Sequence, residues 1–335
     1  MKPRYTEHLD WKELKRFPAL QDFALRVGGT TLLEIPTSRS SARIFAKCEG
    51  ENPSGSVKDR VSFAMLYQLL LSLSEQELKE LELLEYSGGT LAASLAQLCH
   101  ALELPLTMVL GSFMPGSTIE NLRNLGANIE LVDKDKGFYA VMERAFELSR
   151  NHPGRRFLHQ HENGANLWIH RNTTGKEILH QFRKMRPSRN SGIDAWIASI
   201  GTGGTLMGVY DALTEAYPAA RLFAVTPSEM PYGTSAPPNG LPKFAGSGGF
   251  GFGRRQPFVA KREDNIFGHF HFSYPECLNE IKAFAKRTGV RLGTSSAANL
   301  LAARKVAEKL GHDKNVVTIF PSFASEEEWG LAHAA

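Results

Sequence analysis

The sequence predicts an α/β protein of two domains, each a mainly parallel sheet flanked by helices. Short apolar strand-like runs alternate with segments of helical period along most of the chain, the pattern that puts helices on both faces of parallel sheets. A chain of 335 residues, 42% hydrophobic and 22% charged, can bury a full core and is long enough for two joined domains. Glycine-rich turns fall where strands hand over to helices, at Ser87-Gly88-Gly89-Thr90 and at Gly201-Thr202-Gly203-Gly204-Thr205.

The chain opens with an amphipathic helical arm. Trp11, Leu14 and Phe17 share a face, Leu20 and Phe23 follow beyond Pro18, and Gly28-Gly29-Thr30 turns the chain. Residues 43–48 read as a strand, 56–71 as a helix, 82–86 as a strand and 90–101 as a helix. Residues 106–110 are the next strand, followed by a helix that opens near Pro115-Gly116-Ser117 and ends at Gly126. Residues 128–132 are a strand, and beyond them Phe138, Val141, Met142, Ala145 and Leu148 line one helical face. The second half continues the alternation on a larger scale, with helix 166–185, strand 193–200, helix 203–216 and strand 221–226. Helices 276–287 and 296–310 then lead to strand 315–320. Residues 227–257, rich in Gly and Pro, interrupt the alternation. So long a loop in a compact domain is a functional lid or a disordered linker, and its Tyr232, Phe244, Phe250 and Phe252 favour the lid.

Charge and cysteine content exclude several function classes. A net charge of +4 is small for this length. The basic clusters at Arg183-Lys184-Met185-Arg186, Arg254-Arg255 and Lys261-Arg262 lack interleaved aromatics, so they read as solvated faces and no nucleic-acid partner is expected. Cys48, Cys99 and Cys277 stand far apart with no CxxC pair, which suggests neither a disulfide framework nor a zinc site and fits a reducing cytoplasm. Residues 1–16 mix both charges without an apolar core, unlike a signal or transit peptide, and no apolar run is long enough to span a bilayer. His159 and His161 alternate on what reads as a strand beside Glu162; hydrogen-bonded structure explains them more simply than a metal. Glu326-Glu327-Glu328 reads as a solvated face.

The candidate chemistry gathers at Asn52-Pro53-Ser54-Gly55-Ser56-Val57-Lys58-Asp59-Arg60. Asn-Pro-Ser-Gly is a tight turn, Ser56 is a candidate N-cap, and Val61, Ala64, Met65 and Leu69 follow at helical spacing. Lys58 therefore sits in a first helical turn, where the macrodipole disfavours its charge and burial would lower its pKa further. Two readings stand: a solvated lysine whose stem points away, or an amine tuned to form a Schiff base. Gly201 to Thr205 follows the strand that ends at Ile200 and opens a helix, so its small residues and first-turn amides form a candidate phosphate cradle. The third glycine of a dinucleotide fingerprint would fall on Leu206, and the spacing of Gly50, Gly55 and Lys58 is not that of a P-loop. Ser87 to Thr90 repeats the arrangement and suits a carboxylate or phosphate, whereas Gly293-Thr294-Ser295-Ser296 alone reads as simple N-capping.

Six segments in order resemble one family. They are NPSGSVKDR (52–60), SGGT (87–90), QHENGAN (160–166), NTTGKEI (172–178), GTGGT (201–205) and GTSSA (293–297). Together they resemble the pyridoxal-phosphate enzymes of the cysteine synthase and cystathionine β-synthase group, fold type II. The resemblance implies a tryptophan synthase β-like fold, with a smaller domain at residues 52–160 and a larger one from residues 1–51 and 161–335. It implies pyridoxal 5'-phosphate in the cleft between them, and a homodimer. It makes Lys58 the Schiff-base lysine, Gly201, Thr202, Gly203, Gly204 and Thr205 the phosphate loop, and Ser295 the partner of the pyridine nitrogen. Ser87, Gly88 and Thr90, with Gln160, become the pocket for the substrate carboxylate.

The implied reaction is β-replacement on an O-activated serine-type amino acid through an aminoacrylate, with Lys58 as base and a nucleophile as second substrate. A neutral serine at the ring nitrogen leaves a weaker electron sink and favours prompt β-elimination over transamination. The chain departs from the family where threonine-serine-glycine-asparagine-threonine becomes Tyr86-Ser87-Gly88-Gly89-Thr90. Gly89 removes a polar contact beside the cofactor ring, and Tyr86 fills that space or reshapes the entrance. The lid, and the segment Pro321-Ser322-Phe323-Ala324-Ser325, also lack the family's usual pattern. These changes touch substrate recognition, so a specialised donor or nucleophile is expected. The alternatives are a β-eliminating serine or threonine dehydratase-like deaminase, and a non-catalytic relative acting by protein contact.

Overall fold

The computed structural model describes residues 6–112, 114–152, 154–185 and 192–334; Arg186 of a basic cluster and the first five residues of the arm lie outside these. Among the described residues ten strands form two sheets: β1 (Leu32–Ile35), β2 (Arg43–Cys48), β3 (Glu82–Ser87), β4 (Leu106–Gly111), β5 (Asn128–Val132), β6 (Arg155–Phe157), β7 (Ala195–Ser199), β8 (Arg221–Pro227), β9 (Ile266–Phe272) and β10 (Asn315–Phe320). The larger sheet has the order β1-β2-β10-β7-β8-β9 and draws on both ends of the chain. Only β1 runs antiparallel to its neighbour there. The smaller sheet, β5-β4-β3-β6, is parallel throughout.

Parallel strands covered on both faces bury every position, and β10 does so along its whole length. Its Val316 and Phe320 pack with Ile281, Phe284 and Leu300 on one face. Val317 and Ile319 pack on the other with Trp196, Leu206 and Phe182. The smaller sheet alternates likewise. Leu83, Met108 and Leu110 face helices Lys58–Ser72 and Thr90–Ala101, while Leu84, Tyr86 and Val109 face helix Gly137–Asn151. The arm covers the first of these faces: Leu14, Leu20 and Phe23 join the same cluster as Val61, Phe63 and Leu91. Asp10 caps its first helix by accepting the Lys12 and Glu13 amides at 3.0 and 3.1 Å.

Several expectations are corrected. β1, β6 and β9 are not foreseen from the sequence, being an edge strand, a three-residue strand with two arginines, and a strand next to the long loop. Helix 166–185 begins at Gly164 and passes through a π-helical turn at His170–Gly175. His159 and His161 do not alternate on a strand. β6 stops at Phe157, His159 adopts φ +52°, and the chain turns away there. Ser56 does accept the Lys58 amide, at 3.3 Å, although Val57 is the residue that borders the helix. No helix among the described residues is long and apolar enough to cross a membrane. The three cysteines are buried, and none is joined in a disulfide among the described residues.

Candidate active site

The larger sheet presents the carboxyl ends of β2, β10 and β7 side by side, and the Lys58 and Gly201 loops leave from two of these ends. After β2 the chain makes a short turn at Glu49–Glu51 and reaches Lys58, the first residue of helix Lys58–Ser72. This turn is pinned to the end of β10, where Val57 N donates to Pro321 O at 2.8 Å and Ser56 bridges Ser322. Asp59 fixes it from the other side, accepting Ser54 N at 2.6 Å and the Ser94 hydroxyl at 2.5 Å. Lys58 is half-buried. Burial lowers its pKa to about 8, opposed by the charge of Glu85, so about a tenth of the amine is unprotonated at pH 7, far more than for an ordinary lysine.

Two residues on, Arg60 anchors a buried charge network. Its guanidinium donates to Glu49 at 2.6 and 2.8 Å and to Glu177 at 2.8 and 2.9 Å. Lys47 pairs with Glu177 at 2.7 Å, and Thr30 and Asn52 donate to Glu49. Two cations meet two carboxylates with every member buried, which ties β2, the Lys58 helix and helix Lys176–Met185 together.

The candidate phosphate loop joins β7 to helix Gly204–Ala216, with Gly203 at φ +87°. A helix this long leaves its first amides without intrahelical acceptors. Close packing demands the small residues: a Cβ at Gly204 would lie 2.1 Å from Asn166 Oδ1, and one at Gly201 would lie 2.4 Å from Gly246 O. Thr202 accepts Asn166 Nδ2 at 3.0 Å, and Thr205 bonds His170 Nε2 at 3.1 Å. Burial pushes the His170 imidazole down to about 3, so it is neutral near pH 7.

Ser295, also buried, lies in the first turn of helix Thr294–Leu310. That turn meets the Lys58 turn through the segment after β10: Ser296 Oγ donates to Ser322 O at 2.6 Å, and Ser322 bridges Ser56. Thr294 donates to Glu328 of the C-terminal helix at 2.7 Å. The Lys58, phosphate-loop and Ser295 turns thus share one edge of the larger sheet.

The candidate carboxylate loop leaves β3 on the smaller sheet. Ser87 Oγ accepts the Gly89 and Ala92 amides at 3.0 and 3.3 Å, which folds the loop onto helix Thr90–Ala101. Gly89 has φ +156° and ψ −107°, and an added Cβ would meet nothing within 4 Å. Gly88 and Thr90 are exposed. Gln160 is buried, its Nε2 donating to Tyr86 O at 2.9 Å. Tyr86 is not at the entrance. Its ring is fully buried and its hydroxyl bonds His161 Nδ1 at 2.8 Å, because strand alternation turns it toward helix Gly137–Asn151.

The long loop, residues 228–256, is a strap over these parts. Gly248 N bonds Ile200 O at 3.1 Å beside the phosphate loop, and Ala245 N bonds Thr294 Oγ1 at 2.9 Å beside Ser295. Phe250 then stacks on Phe138 of the smaller sheet's helix, at 6.3 Å, and lies 5.4 Å from His161. Arg254 sits 3.8 Å from the Tyr139 ring centroid.

Sequence reasoning missed Glu85, Lys47, His170 and the Glu49–Glu177 pair. One signal was present: a charged residue inside an apolar run, as in Leu83-Leu84-Glu85-Tyr86 and Phe45-Ala46-Lys47-Cys48, is buried and needs a partner. Among the described residues no three His, Cys, Asp or Glu side chains are placed to hold a metal.

The donor set fits pyridoxal 5'-phosphate. Lys58 offers an amine of lowered basicity, the Gly204 helix offers first-turn amides for a phosphate, and the Gly89 loop borders free space. Comparison with known proteins agrees. Residues 23–322 match the family described as pyridoxal-phosphate dependent enzyme. Cysteine synthase of Staphylococcus aureus is 31% identical over 300 residues, covering 88% of this chain and 91% of that one. Cysteine synthase B of Campylobacter jejuni is 30% identical over 295 residues, covering 88% and 92%. The crystal structure of O-acetylserine dependent cystathionine β-synthase from Helicobacter pylori superposes with a TM-score of 0.77 at 26% identity, covering 91% of this chain and 95% of that one. The chain therefore belongs to the pyridoxal-phosphate-dependent enzymes of fold type II, in the cysteine synthase group, and pyridoxal 5'-phosphate is its cofactor.

Proposed function

We propose that the chain catalyses β-replacement on an O-activated serine-type amino acid, with a specialised donor or nucleophile. The observation that carries this reading is the convergence of Lys58, the phosphate loop and a serine-bearing helix start on one sheet edge. When bound, pyridoxal 5'-phosphate supplies an aldehyde that joins amino groups and a conjugated ring that withdraws electron density from the α-carbon. The chain supplies the rest. Lys58 would hold the cofactor and, as a free amine, would take the α-proton; burial lowers its basicity for that role. The first-turn amides at Gly203 to Thr205, with the Thr202 and Thr205 hydroxyls, would hold the phosphate.

Ser295 offers the ring nitrogen a hydroxyl and no negative charge, which favours loss of a β leaving group. Ser87, Gly88, Gly89 and Thr90 present the carboxylate pocket, and Gln160 braces it through Tyr86 O. Gly89 borders open space, where a Cβ would meet nothing within 4 Å, which supports a donor or nucleophile other than those of ordinary cysteine synthesis. In this reading residues 52–160 form the smaller domain, residues 1–51 and 161–335 the larger, and the enzyme works as a cytoplasmic homodimer.

The test is to incubate purified protein with O-acetylserine and O-phosphoserine in turn, with sulfide, homocysteine or a nitrogen nucleophile. Products are read by mass spectrometry. A new β-substituted amino acid that appears only with a nucleophile supports the reading. Keto acid released at the same rate with or without any nucleophile replaces it with the dehydratase-like alternative.

A further inference from the structure

Asn166 has no solvent exposure and stands between the Gln160 turn and the phosphate loop, in the short helix Gly164–Ile169. Its side-chain nitrogen makes two hydrogen bonds. Nδ2 donates to Gln160 O at 2.9 Å and to Thr202 Oγ1 at 3.0 Å. The first bond fixes which way the amide faces, because a main-chain carbonyl only accepts. A reversed amide would set two acceptor oxygens against each other at that distance. The amide oxygen lies instead against Gly204, where an added Cβ would come within 2.1 Å of it, and it has no donor partner among the described residues.

With one amide hydrogen committed to Gln160 O, the other makes Thr202 Oγ1 an acceptor. The same oxygen also accepts Gly204 N, at 3.1 Å. A threonine hydroxyl has two acceptor lone pairs and one hydrogen. Both lone pairs are taken here, so the hydrogen is left to point at a third group. Among the described residues the hydroxyl donates to no protein acceptor. It is a donor held ready for an anion in the Gly201–Thr205 turn, and hydrogen bonds to charged acceptors are the stronger kind. Thr205 is not committed in this way, because its partner His170 Nε2 can either give or take the hydrogen.

We propose that Asn166 is a positioning residue for cofactor binding: it commits the Thr202 hydroxyl to donate toward the phosphate of pyridoxal 5'-phosphate. The same side chain ties the phosphate loop to Gln160, whose Nε2 donates to Tyr86 O at the start of the carboxylate loop. One buried amide thus holds the two pockets in register across the two sheets. The inference rests on reading Gly201 to Thr205 as the phosphate loop, and the experiment separates the two.

The test uses the full-length chain stripped of cofactor and measures Kd for pyridoxal 5'-phosphate and for pyridoxal by fluorescence titration. The ratio of the two isolates the phosphate. Losing one hydrogen bond to an anion cuts that preference about tenfold or more. Thr202→Val should do so in the wild-type chain, and Thr202→Ser should keep most of it. Asn166→Ala should cut the preference by a similar factor, and adding Thr202→Val should then cost nothing more, because the hydroxyl has already lost its direction. A purely structural Asn166 would leave the Thr202→Val factor intact. That result, or an unchanged preference in Asn166→Ala, overturns the proposal and spares the phosphate loop, whereas no loss with Thr202→Val in the wild-type chain overturns both. Should Asn166→Ala not fold, Asn166→Asp takes its place. Its ionised carboxylate matches the amide in size but has no hydrogen to give, so the Thr202 hydroxyl turns to it. Thr202→Val should again be silent in that background, where its added charge is common to both variants; a tenfold loss there overturns the proposal.

Discussion

Removal of Glu177 is the sharpest probe of how the Lys58 turn is held. Its buried carboxylate receives Lys47 at 2.7 Å and Arg60 at 2.8 and 2.9 Å. With Glu49 it balances those two cations. Glu177→Ala leaves two buried cations sharing one carboxylate. Breaking a buried pair from one side costs about 3–5 kcal/mol, because the orphaned charge keeps its desolvation penalty. Lys47 softens the loss. Burial already lowers its pKa, so without Glu177 it can shed its proton and become neutral. The expected cost is therefore near the lower figure, about 3 kcal/mol. Lys47→Met combined with Glu177→Ala restores balance, leaving the two-bond Arg60–Glu49 pair, and should recover about 1–2 kcal/mol relative to additivity. Equilibrium urea unfolding of the single and double variants measures both quantities. A Glu177→Ala cost under about 1 kcal/mol, the level of an exposed pair, or strict additivity with Lys47→Met, would refute the account of the network.

Three further outcomes are expected. Gly204→Ala puts a Cβ 2.1 Å from Asn166 Oδ1, whose amide is already committed to Gln160 O and Thr202; overpacking of about 1–3 kcal/mol should weaken pyridoxal 5'-phosphate binding roughly tenfold or more, measured by fluorescence titration, and unaltered binding would contradict the cradle. Gly89→Asn must support φ +156° at a cost of about 1–3 kcal/mol or move the loop, so the KM for the amino-acid donor should change while cofactor affinity holds; constant KM would remove Gly89 from substrate recognition. Glu49 is held at about 2, below its usual 4.5, by Arg60 against the opposing effect of burial. A depressed carboxylate contributes stability that is complete above its unfolded value and is lost as pH falls through the folded one. Glu49→Gln should therefore flatten the loss of stability between pH 4.5 and 2, and an acid-unfolding profile identical to wild type would count against it.

The alternation of elements was legible because strand and helix periods are local. Residues 43–48, 128–132 and 315–320 were read at the bounds the structure has. The turns at Ser87 and Gly201 stand at the strand-to-helix junctions where the sequence put them, since small residues there announce themselves, whereas the Gly293 turn, between two helices, read alone as a simple cap. β9 was not: its Phe and His residues alternate, but the Gly- and Pro-rich stretch before it hid the period. Nor was the burial of Tyr86, whose direction depends on which face of β3 meets which helix.

What the sequence determined by itself is the parts: a lysine opening a helix, a small-residue loop between strand and helix, a serine at a third helix start. What only the tertiary structure decided is their company. Lys47 meets Glu177 from the other half of the chain, and Phe250 reaches the helix of the opposite sheet. Charge state and orientation follow from burial and long-range contact, and neither is a property of any short window of residues.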